Sequence, residues 1–256
     1  MPIDSIRFRV FESPDSACAC AASEIARLIR ERAALNRPAV IGFATGATPL
    51  ALFEELIYLH QEEGLSFANV VTFNLDEYLG RKPDDPLSFR SFMMRELFNH
   101  LNVPARNQHF LRGDIPKSTV ASHCADYERE IVAAGGIDIQ LLGIGRNGHI
   151  GFNEPGSSID GRTRRVALAA STREDAASGF GGLDKVPNAA LTMGCATILD
   201  ARRIILMAWG AKKASIVRRA LAEPVTPKIP ASFLSTHPAV EFFLDPPAAA
   251  LLRKNR

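Results

Sequence analysis

The chain has 256 residues, of which 46% are hydrophobic and 23% are charged, and its formal net charge is +2. This is the composition of a folded globular protein, and the basic residues are too scattered for a nucleic-acid interface. No apolar run reaches the length of a membrane-spanning helix, and the first residues lack the apolar stretch of a signal peptide. We expect neither a nucleic-acid nor a membrane partner, and one domain over residues 1–256.

The cysteines Cys18, Cys20, Cys124 and Cys195 do not have the spacing of a redox pair or of a zinc site. Such spacing favours reduced thiols in a protein of a reducing compartment. The sequence therefore predicts a cytoplasmic location and no bound metal.

Short β-type runs alternate with helical patterns along the chain. A helix is predicted from Ser13 onward, and the remaining predicted elements are strand 39–43, helix 49–59, strand 69–73, helices 88–101 and 119–134, strands 137–143 and 203–209, helix 211–222 and strand 239–244. This alternation predicts an α/β fold, a doubly wound, mostly parallel, Rossmann-like sheet with helices on both faces. Ligands bind at the carboxyl ends of the strands in such sheets, so the residues after each strand are the candidates for a site.

The segment after the first of these strands is a small-residue turn that leads into a helix. Thr45, Gly46, Ala47 and Thr48 would offer backbone N–H groups and a hydroxyl to an anion at the positive end of that helix. The pattern predicts a phosphate site, but it equally fits an ordinary strand–helix turn with a threonine cap.

The second strand is followed by two adjacent acids, Asp76 and Glu77. Neighbouring carboxylates raise one another's pKa, and a carboxylate with a raised pKa can serve as a base near neutral pH. The alternative is a solvated polar loop, because acidic side chains are usually exposed.

The third strand runs into the segment of the chain that is richest in glycine and polar residues, residues 143–156. Gly143, Gly145 and Gly148 spell the GxGxxG pattern of dinucleotide-binding proteins. That pattern requires a helix to open at the third glycine, and the following residues, HIGFNEPG, cannot form a long one. We therefore reject a dinucleotide cofactor and expect the glycines to let the backbone approach a small ligand.

Two further candidates come from the third and fourth strand ends. His149 and the nearby Glu154 suit a proton shuttle in which the carboxylate orients the imidazole, although a structural histidine is the alternative. Lys213 falls in the first turn of a helix, where the dipole disfavours a cation unless an anion is bound, although it could also be a surface lysine. Because the strand ends converge on one cleft, the joint prediction is proton-transfer chemistry on a phosphorylated small molecule.

Several segments carry a resemblance to a known family: ATGATPL, VVTFNLDEYLG, LLGIGRNGHIGFNEPGSS, RTRR, VPNAALTMGCATILDARRIILMAWGAKKA and HPAVEFFLD. In order and spacing, from about residue 40 to 245, they resemble the glucosamine-6-phosphate deaminase family of glucosamine/galactosamine-6-phosphate isomerases. The related 6-phosphogluconolactonases share the fold, but typically carry an arginine at the position of Tyr78 and lack the FNEP continuation.

The resemblance implies conversion of glucosamine 6-phosphate to fructose 6-phosphate and ammonia without a cofactor. It implies that Asp76 moves the proton between C2 and C1, and that His149 opens the sugar ring with help from Glu154 and Asn147. It further implies phosphate contacts from the Ala47–Thr48 turn and from Lys213. A sugar phosphate is thus the expected partner, and a homo-oligomer stays open because family members differ in assembly.

The sequence also departs from the family pattern. Asn147 stands where many members have aspartate, and the phosphate-binding arginine that members place in a lid segment near Gly179 is missing. Arg173 matches a different arginine. The preferred substrate could therefore be galactosamine 6-phosphate or another amino-sugar phosphate. A 6-phosphogluconolactonase-like lactonase and a catalytically silent sugar-phosphate sensor are the alternative functions.

Regulated family members bind an N-acetylated sugar phosphate at a subunit interface. Ser157 and Arg164 stand at matching positions, but Val166 and Ala167 replace the lysine and threonine of such members. The C-terminal segment that completes that site in regulated members is also not expected here, since the sequence ends at Arg256. The resemblance therefore predicts hyperbolic kinetics without this activator.

Overall fold

The computed structural model describes residues 7–252, apart from the side chain of Arg7. In chain order, its helices and strands are β1 (Arg7–Val10), α1 (Pro14–Ala34), β2 (Ala39–Phe43), α2 (Leu50–Gln61), β3 (Val70–Asn74), β4 (Asp76–Tyr78), α3 (Phe89–Glu96), β5 (Gln108–His109), α4 (Val120–Ala133), β6 (Ile139–Leu142), β7 (Arg164–Ala167), α5 (Ala170–Phe180), β8 (Ala189–Thr192), α6 (Cys195–Leu199), β9 (Arg203–Ala208), α7 (Ala214–Ala222) and β10 (Val240–Leu244). None of the helices in this part of the chain is both long and apolar enough to cross a membrane.

Seven strands form one sheet in the order β1-β10-β9-β6-β2-β3-β5, and every pairing in it is parallel. Successive residues of a strand face opposite sides of the sheet. Val40 of β2 accordingly packs in a cluster with α4 and α7, whereas its neighbour Ile41 packs in a second cluster with α1, α2 and α3. The predicted α/β fold, with helices covering both faces of a parallel sheet, is confirmed.

A second, antiparallel sheet in the order β4-β8-β7 was not expected from the sequence. The chain enters it directly from β3, with Leu75 as the only residue between the two strands. The Leu75 N–H donates to the carbonyl of Phe43 in the main sheet, and the Leu75 carbonyl accepts from the N–H of Met193, which follows β8. Asp76 is therefore held at the junction of the two sheets.

The direction in which the chain adds strands to the main sheet reverses at β2, although all the strands stay parallel. The chain continues from β2 to β3 on one side, and β6 pairs with β2 on the other side. The loops after β2 and β6 consequently diverge from neighbouring strand ends, which is where open α/β sheets bind ligands. The small-residue turn 44–49 and the glycine-rich loop 143–149 lie at this point.

The predicted element boundaries were close to the observed ones, with a few differences. The helix predicted over residues 88–101 ends at Glu96 and is followed by a separate short turn, Phe98–His100. Helix α5 was not predicted, because it buries only Thr172 and so has no apolar stripe. No helix opens at Gly148, which agrees with the rejection of a dinucleotide-binding turn.

Candidate active site

A cleft of about 330 Å³ opens at the carboxyl ends of β2, β3 and β6. Its polar and charged lining consists of Thr45, Thr48, Asp76, Tyr78, Arg146, His149, Thr172, Asp175 and Lys213. The cleft therefore collects residues from all four strand ends that the sequence singled out, together with residues of α5 that it did not.

Asp76 is 6% exposed at the start of β4 and faces the cleft. Its carboxylate has no hydrogen-bond donor among the described residues, while its backbone pairs with Thr192. Burial raises the pKa of Asp76 well above its ordinary value, and the charge of Glu77 raises it further. The raised pKa that the sequence predicted for Asp76 is therefore due mainly to burial and less to Glu77. The alternative of a solvated polar loop is wrong, because Asp76 is buried.

Glu77 points away from the cleft and holds the start of α3. Its carboxylate accepts hydrogen bonds from the N–H groups of Tyr78 at 2.8 Å, Phe89 at 3.0 Å and Arg90 at 3.0 Å. Burial raises the pKa of Glu77 to about 7 against these donors. Glu77 is therefore committed to helix capping, and Asp76 alone of the two acids is free for chemistry.

His149 and Glu154 lie together, as the sequence analysis expected. The imidazole Nδ1 is 3.5 Å from a carboxylate oxygen of Glu154 and 3.3 Å from the hydroxyl of Thr172. Burial acts to raise the pKa of Glu154, but hydrogen bonds from His149, Thr172 and Asn147 outweigh it and lower the pKa to about 2. Because both groups face Nδ1, Nε2 is the ring nitrogen without a partner among the described residues.

Asn147 lies behind this pair, not in the cleft lining. Its side-chain amide donates to Glu154 at 2.8 Å and to the Ser171 hydroxyl at 3.2 Å, and its carbonyl oxygen accepts from the N–H of His149 at 3.1 Å. Asn147 therefore orients both members of the pair without carrying a charge.

Gly145 lies against the face of the His149 ring. A Cβ atom at position 145 would lie 2.2 Å from Cε1 and 2.4 Å from each ring nitrogen of His149. The Gly145 N–H also donates to the carbonyl of His149 at 2.9 Å. The glycine is thus needed here for close approach to the imidazole.

The turn after β2 also contributes to the cleft. Gly46 adopts a φ of 95°, which favours glycine, and α2 has no side-chain cap at its start. Among residues 7–252, no acceptor uses the N–H groups of Gly46, Ala47 and Thr48. Thr45, Gly46 and Thr48 line the cleft, and Ala47 is exposed on the same turn. Unused donors at a helix start favour the anion site over an ordinary turn.

Lys213 is half-buried just before α7, and it reaches the cleft between the turn after β2 and the loop after β6. Its ammonium donates to the carbonyl of Ile144 at 2.6 Å. Burial lowers the pKa of Lys213, and the nearby Asp175 carboxylate opposes that shift. The surface-lysine alternative is wrong.

Three parts of this cleft were not predicted from the sequence. Thr172 was hidden in an unpredicted helix, and an aromatic wall of Tyr78, Phe89 and Phe152 was hidden because these residues belong to separate segments. Arg146 could have been noticed, since a cation within a glycine-rich loop at a strand end is a signal for anion binding. Arg173 does not reach the cleft lining, because its guanidinium donates to the carbonyl of Leu183 at 2.9 Å.

The arrangement combines a buried, unpaired carboxylate, an oriented imidazole and unused anion donors in one cleft. It can move protons on a ligand held by an anionic group. Glycines and small side chains leave the cleft room for a sugar-sized molecule.

Comparison with known proteins agrees with this site. The sequence model of the glucosamine-6-phosphate isomerases/6-phosphogluconolactonase family matches residues 12–242. The glucosamine-6-phosphate deaminase of Rhodopirellula baltica is 45% identical over 98% of this chain and 98% of its own length. That of Hahella chejuensis is 43% identical over 96% and 92%, respectively.

Solved structures give the same result at the level of fold. A structure described as a monomeric glucosamine-6-phosphate deaminase has a TM-score of 0.91 and 41% identity, and the match covers 96% of this chain and 100% of that one. A 6-phosphogluconolactonase from Trypanosoma brucei has a TM-score of 0.77 at 21% identity, which indicates a shared fold only. The chain therefore belongs to the glucosamine-6-phosphate isomerases/6-phosphogluconolactonase family.

Proposed function

We propose that this protein is a glucosamine-6-phosphate deaminase, which converts glucosamine 6-phosphate and water to fructose 6-phosphate and ammonia. The observation that carries the proposal is the buried, unpaired Asp76 carboxylate facing the same cleft as the His149–Glu154 pair. Relatives at more than 40% identity over nearly the whole chain, named for this activity, support it.

In the proposed mechanism, His149 opens the sugar ring. Its Nε2 takes the proton from the C1 hydroxyl and returns one to the ring oxygen, while Glu154 and Asn147 hold the imidazole in place. The lowered pKa of Glu154, about 2, keeps that carboxylate charged at neutral pH, so it stabilises the imidazolium that forms in between.

Asp76 then acts on the open-chain sugar. It takes the proton from C2 and delivers it to C1, while the carbonyl oxygen on C1 gains a proton and the amine on C2 loses one, so that the amino aldehyde becomes a C1 alcohol with a C2 imine. Water hydrolyses this imine and releases ammonia. The raised pKa of Asp76 makes its carboxylate a stronger base than an exposed aspartate, which suits a weakly acidic C–H group.

The phosphate of the substrate is assigned to the turn after β2 and to Lys213. The N–H groups of Gly46, Ala47 and Thr48, the hydroxyls of Thr45 and Thr48, and the ammonium of Lys213 are its proposed donors. Anchoring by these groups keeps C1 and C2 between Asp76 and His149.

One experiment tests the proposal against its alternatives. The purified protein is incubated in turn with glucosamine 6-phosphate, galactosamine 6-phosphate and 6-phosphogluconolactone, and release of ammonia and of acid is followed. Ammonia from an amino-sugar phosphate supports the deaminase and identifies its substrate. Acid release from the lactone alone would indicate a lactonase, and binding without turnover would indicate a sensor.

The cysteines bear on the cellular compartment, and a solved relative bears on the assembly. Four free cysteines, three of them buried, favour a reducing compartment, and we propose the cytoplasm. The 41% identical solved relative is described as monomeric, whereas the sequence left a homo-oligomer open. Light scattering on the purified protein at micromolar concentration distinguishes a monomer from an oligomer.

A further inference from the structure

The cleft contains fewer cations than its proposed ligand needs. A phosphate monoester carries close to two negative charges near neutral pH. Among the residues that line the cleft, Lys213 and Arg146 are the cationic side chains. Lys213 supplies one charge, so the second must come from Arg146 if the phosphate is to be neutralised.

Arg146 is held at the mouth of the cleft by acidic residues of α5. Its guanidinium lies 2.6 Å from a carboxylate oxygen of Glu174 and 3.1 Å from one of Asp175, and it donates to the carbonyl of Ser171 at 3.2 Å. All three charged side chains are about half exposed. Ion pairs of this kind contribute little to stability, so a dianionic ligand can replace them.

Asp175 is the acid of this group that belongs to the cleft. It lines the cleft, whereas Glu174 does not. Its charge also acts on Lys213, whose ammonium it stabilises against burial. In the free protein, Asp175 therefore places a negative charge near both cations that face the ligand.

We propose that Arg146 binds the phosphate of the substrate and that Asp175 is its resting partner in the free protein. This inference rests on the proposed function for the identity of the ligand. Phosphate replaces the Asp175 carboxylate at Arg146 and weakens the interaction of Asp175 with Lys213. The planar guanidinium can then make two parallel hydrogen bonds to phosphate oxygens, a geometry that a lysine cannot offer.

Helix α5 can accommodate such an exchange. Thr172 is its only buried residue, and polar contacts hold the helix to the loop after β6. Release of Asp175 from Arg146 therefore breaks no apolar packing. The Thr172 contact to His149 lies one turn earlier, so it can persist.

The alternative role for Arg146 is to pin α5 to the protein. The two roles predict different results for two substitutions at this contact. If Arg146 only pins α5, Arg146→Ala removes both ion pairs to the helix and weakens ligand binding, whereas Asp175→Asn leaves the pair with Glu174 and does not strengthen binding. If Arg146 binds phosphate, Arg146→Ala removes a donor, whereas Asp175→Asn removes a competitor.

The experiment measures binding of inorganic phosphate to the full chain by titration calorimetry, alongside KM for glucosamine 6-phosphate. We expect Arg146→Ala to raise Kd and KM by about 10-fold or more, and Asp175→Asn to lower both by about 3- to 10-fold. Arg218→Ala is the control for net charge, since Arg218 is exposed on α7 and away from the cleft lining; its Kd should change by less than about 2-fold.

Weaker phosphate binding in both Arg146→Ala and Asp175→Asn would overturn the proposal, and so would wild-type affinity in Arg146→Ala. Wild-type affinity in Asp175→Asn would refute its role as the resting partner. Circular dichroism checks that each variant is folded, and Arg146→Gln replaces the alanine variant if that one is not. Phosphate binding that follows the expected pattern in a protein releasing no ammonia would reject the deaminase but keep this inference.

Discussion

Asp76 and Glu77 are adjacent in the chain but have different surroundings. The carboxylate of Glu77 accepts three backbone N–H groups around the start of α3, whereas that of Asp76 faces the cleft without a donor. Strand alternation explains the difference, because successive side chains of β4 point to opposite sides. A single-residue shift in the pairing of β4 with β8 would exchange the two carboxylates.

The first prediction concerns Asp76 as the base. Asp76→Asn should lower kcat by at least ~100-fold, because an amide cannot take up the C2 proton. Substrate should still bind, since the proposed phosphate donors do not include Asp76. The measurement is exchange of C2 deuterium with solvent during turnover; exchange at the wild-type rate in the variant would rule Asp76 out as the base.

The second prediction concerns His149 and ring opening. His149→Gln should slow turnover of the ring-closed substrate, because glutamine cannot shuttle a proton between O1 and the ring oxygen. An analogue fixed in the open-chain form bypasses this step and should be affected much less. Rates for both compounds are compared between the variant and the wild type. Equal losses would mean that His149 acts at another step.

At the scale of single elements, the anchoring of α5 depends on Glu154. One carboxylate oxygen of Glu154 accepts from the N–H of Ala169, just before α5, at 3.2 Å, and the other accepts from Asn147 at 2.8 Å. The same residue therefore holds the imidazole and the helix that covers it. Protonation of Glu154 should affect both.

The third prediction is the pH dependence of this anchor. The pKa of Glu154 is about 2 in the folded protein, below its ordinary 4.5, so the unfolded chain takes up this proton first as pH falls. The stability that Glu154 contributes is present above about pH 4.5 and is lost as pH falls towards 2. We expect this contribution to be about 1–3 kcal/mol.

Urea unfolding at pH 5, 4 and 3 measures it. The free energy of unfolding should fall with pH less steeply in Glu154→Gln than in the wild type. Glu63→Gln is the control, because Glu63 is exposed and makes no ion pair within the described residues. Parallel curves for the wild type and Glu154→Gln would contradict the prediction.

The fourth prediction concerns the pairing of β2 with β6, which sets the cleft. Gly42 lies opposite Gln140 in these strands, and a Cβ atom at position 42 would come within 2.0 Å of the buried Gln140 side chain. Gly42→Ala should therefore lower the free energy of unfolding by about 1–3 kcal/mol, because the core must repack. Gly179→Ala, in α5, meets no atom within 4 Å and should be neutral or slightly stabilising. Similar destabilisation of both variants would argue against the steric explanation.

Each element that was predicted from the sequence has a recognisable local sequence pattern. Strand β2 is a continuous apolar run, and α1 begins with the Ser13–Pro14 cap that the sequence indicated. The strands β4, β7 and β8 are only three or four residues long, and they are stable because they pair with one another. No local pattern marks them, so the sequence could not reveal the sheet that buries Asp76.

The residues of the candidate site were predictable only where they follow a strand that the sequence predicts. Asp76, His149 and Lys213 line the cleft because each follows a strand end, and parallel strands place those ends together. Glu154 lies farther along the loop after β6 and is placed by its contact with His149. Thr172 and Asp175 come from α5, which lies across the cleft through tertiary contacts that no periodicity encodes.

At the scale of the whole molecule, the segment after the FNEP motif bears on regulation. Ser157 and Arg164 are joined by a hydrogen bond of 3.2 Å, and Arg164 also donates to the buried Asn153 side chain at 2.9 Å. Both terminal nitrogens of the guanidinium therefore already have acceptors within the chain. An effector phosphate would have to compete with these contacts.

The fifth prediction is that N-acetylglucosamine 6-phosphate does not activate the protein. The resemblance implies that Val166 and Ala167 stand where regulated members of the glucosamine-6-phosphate deaminase family carry a lysine and a threonine. A phosphate that lacks the lysine loses a charge-assisted contact worth about 1.5–3 kcal/mol, or about 10- to 100-fold in affinity. The rate should therefore rise hyperbolically with glucosamine 6-phosphate, with and without the effector. The measurement is initial rate against substrate concentration at several effector concentrations. A sigmoidal curve that the effector makes hyperbolic would contradict the prediction, and would mean an effector pocket that includes residues not yet identified.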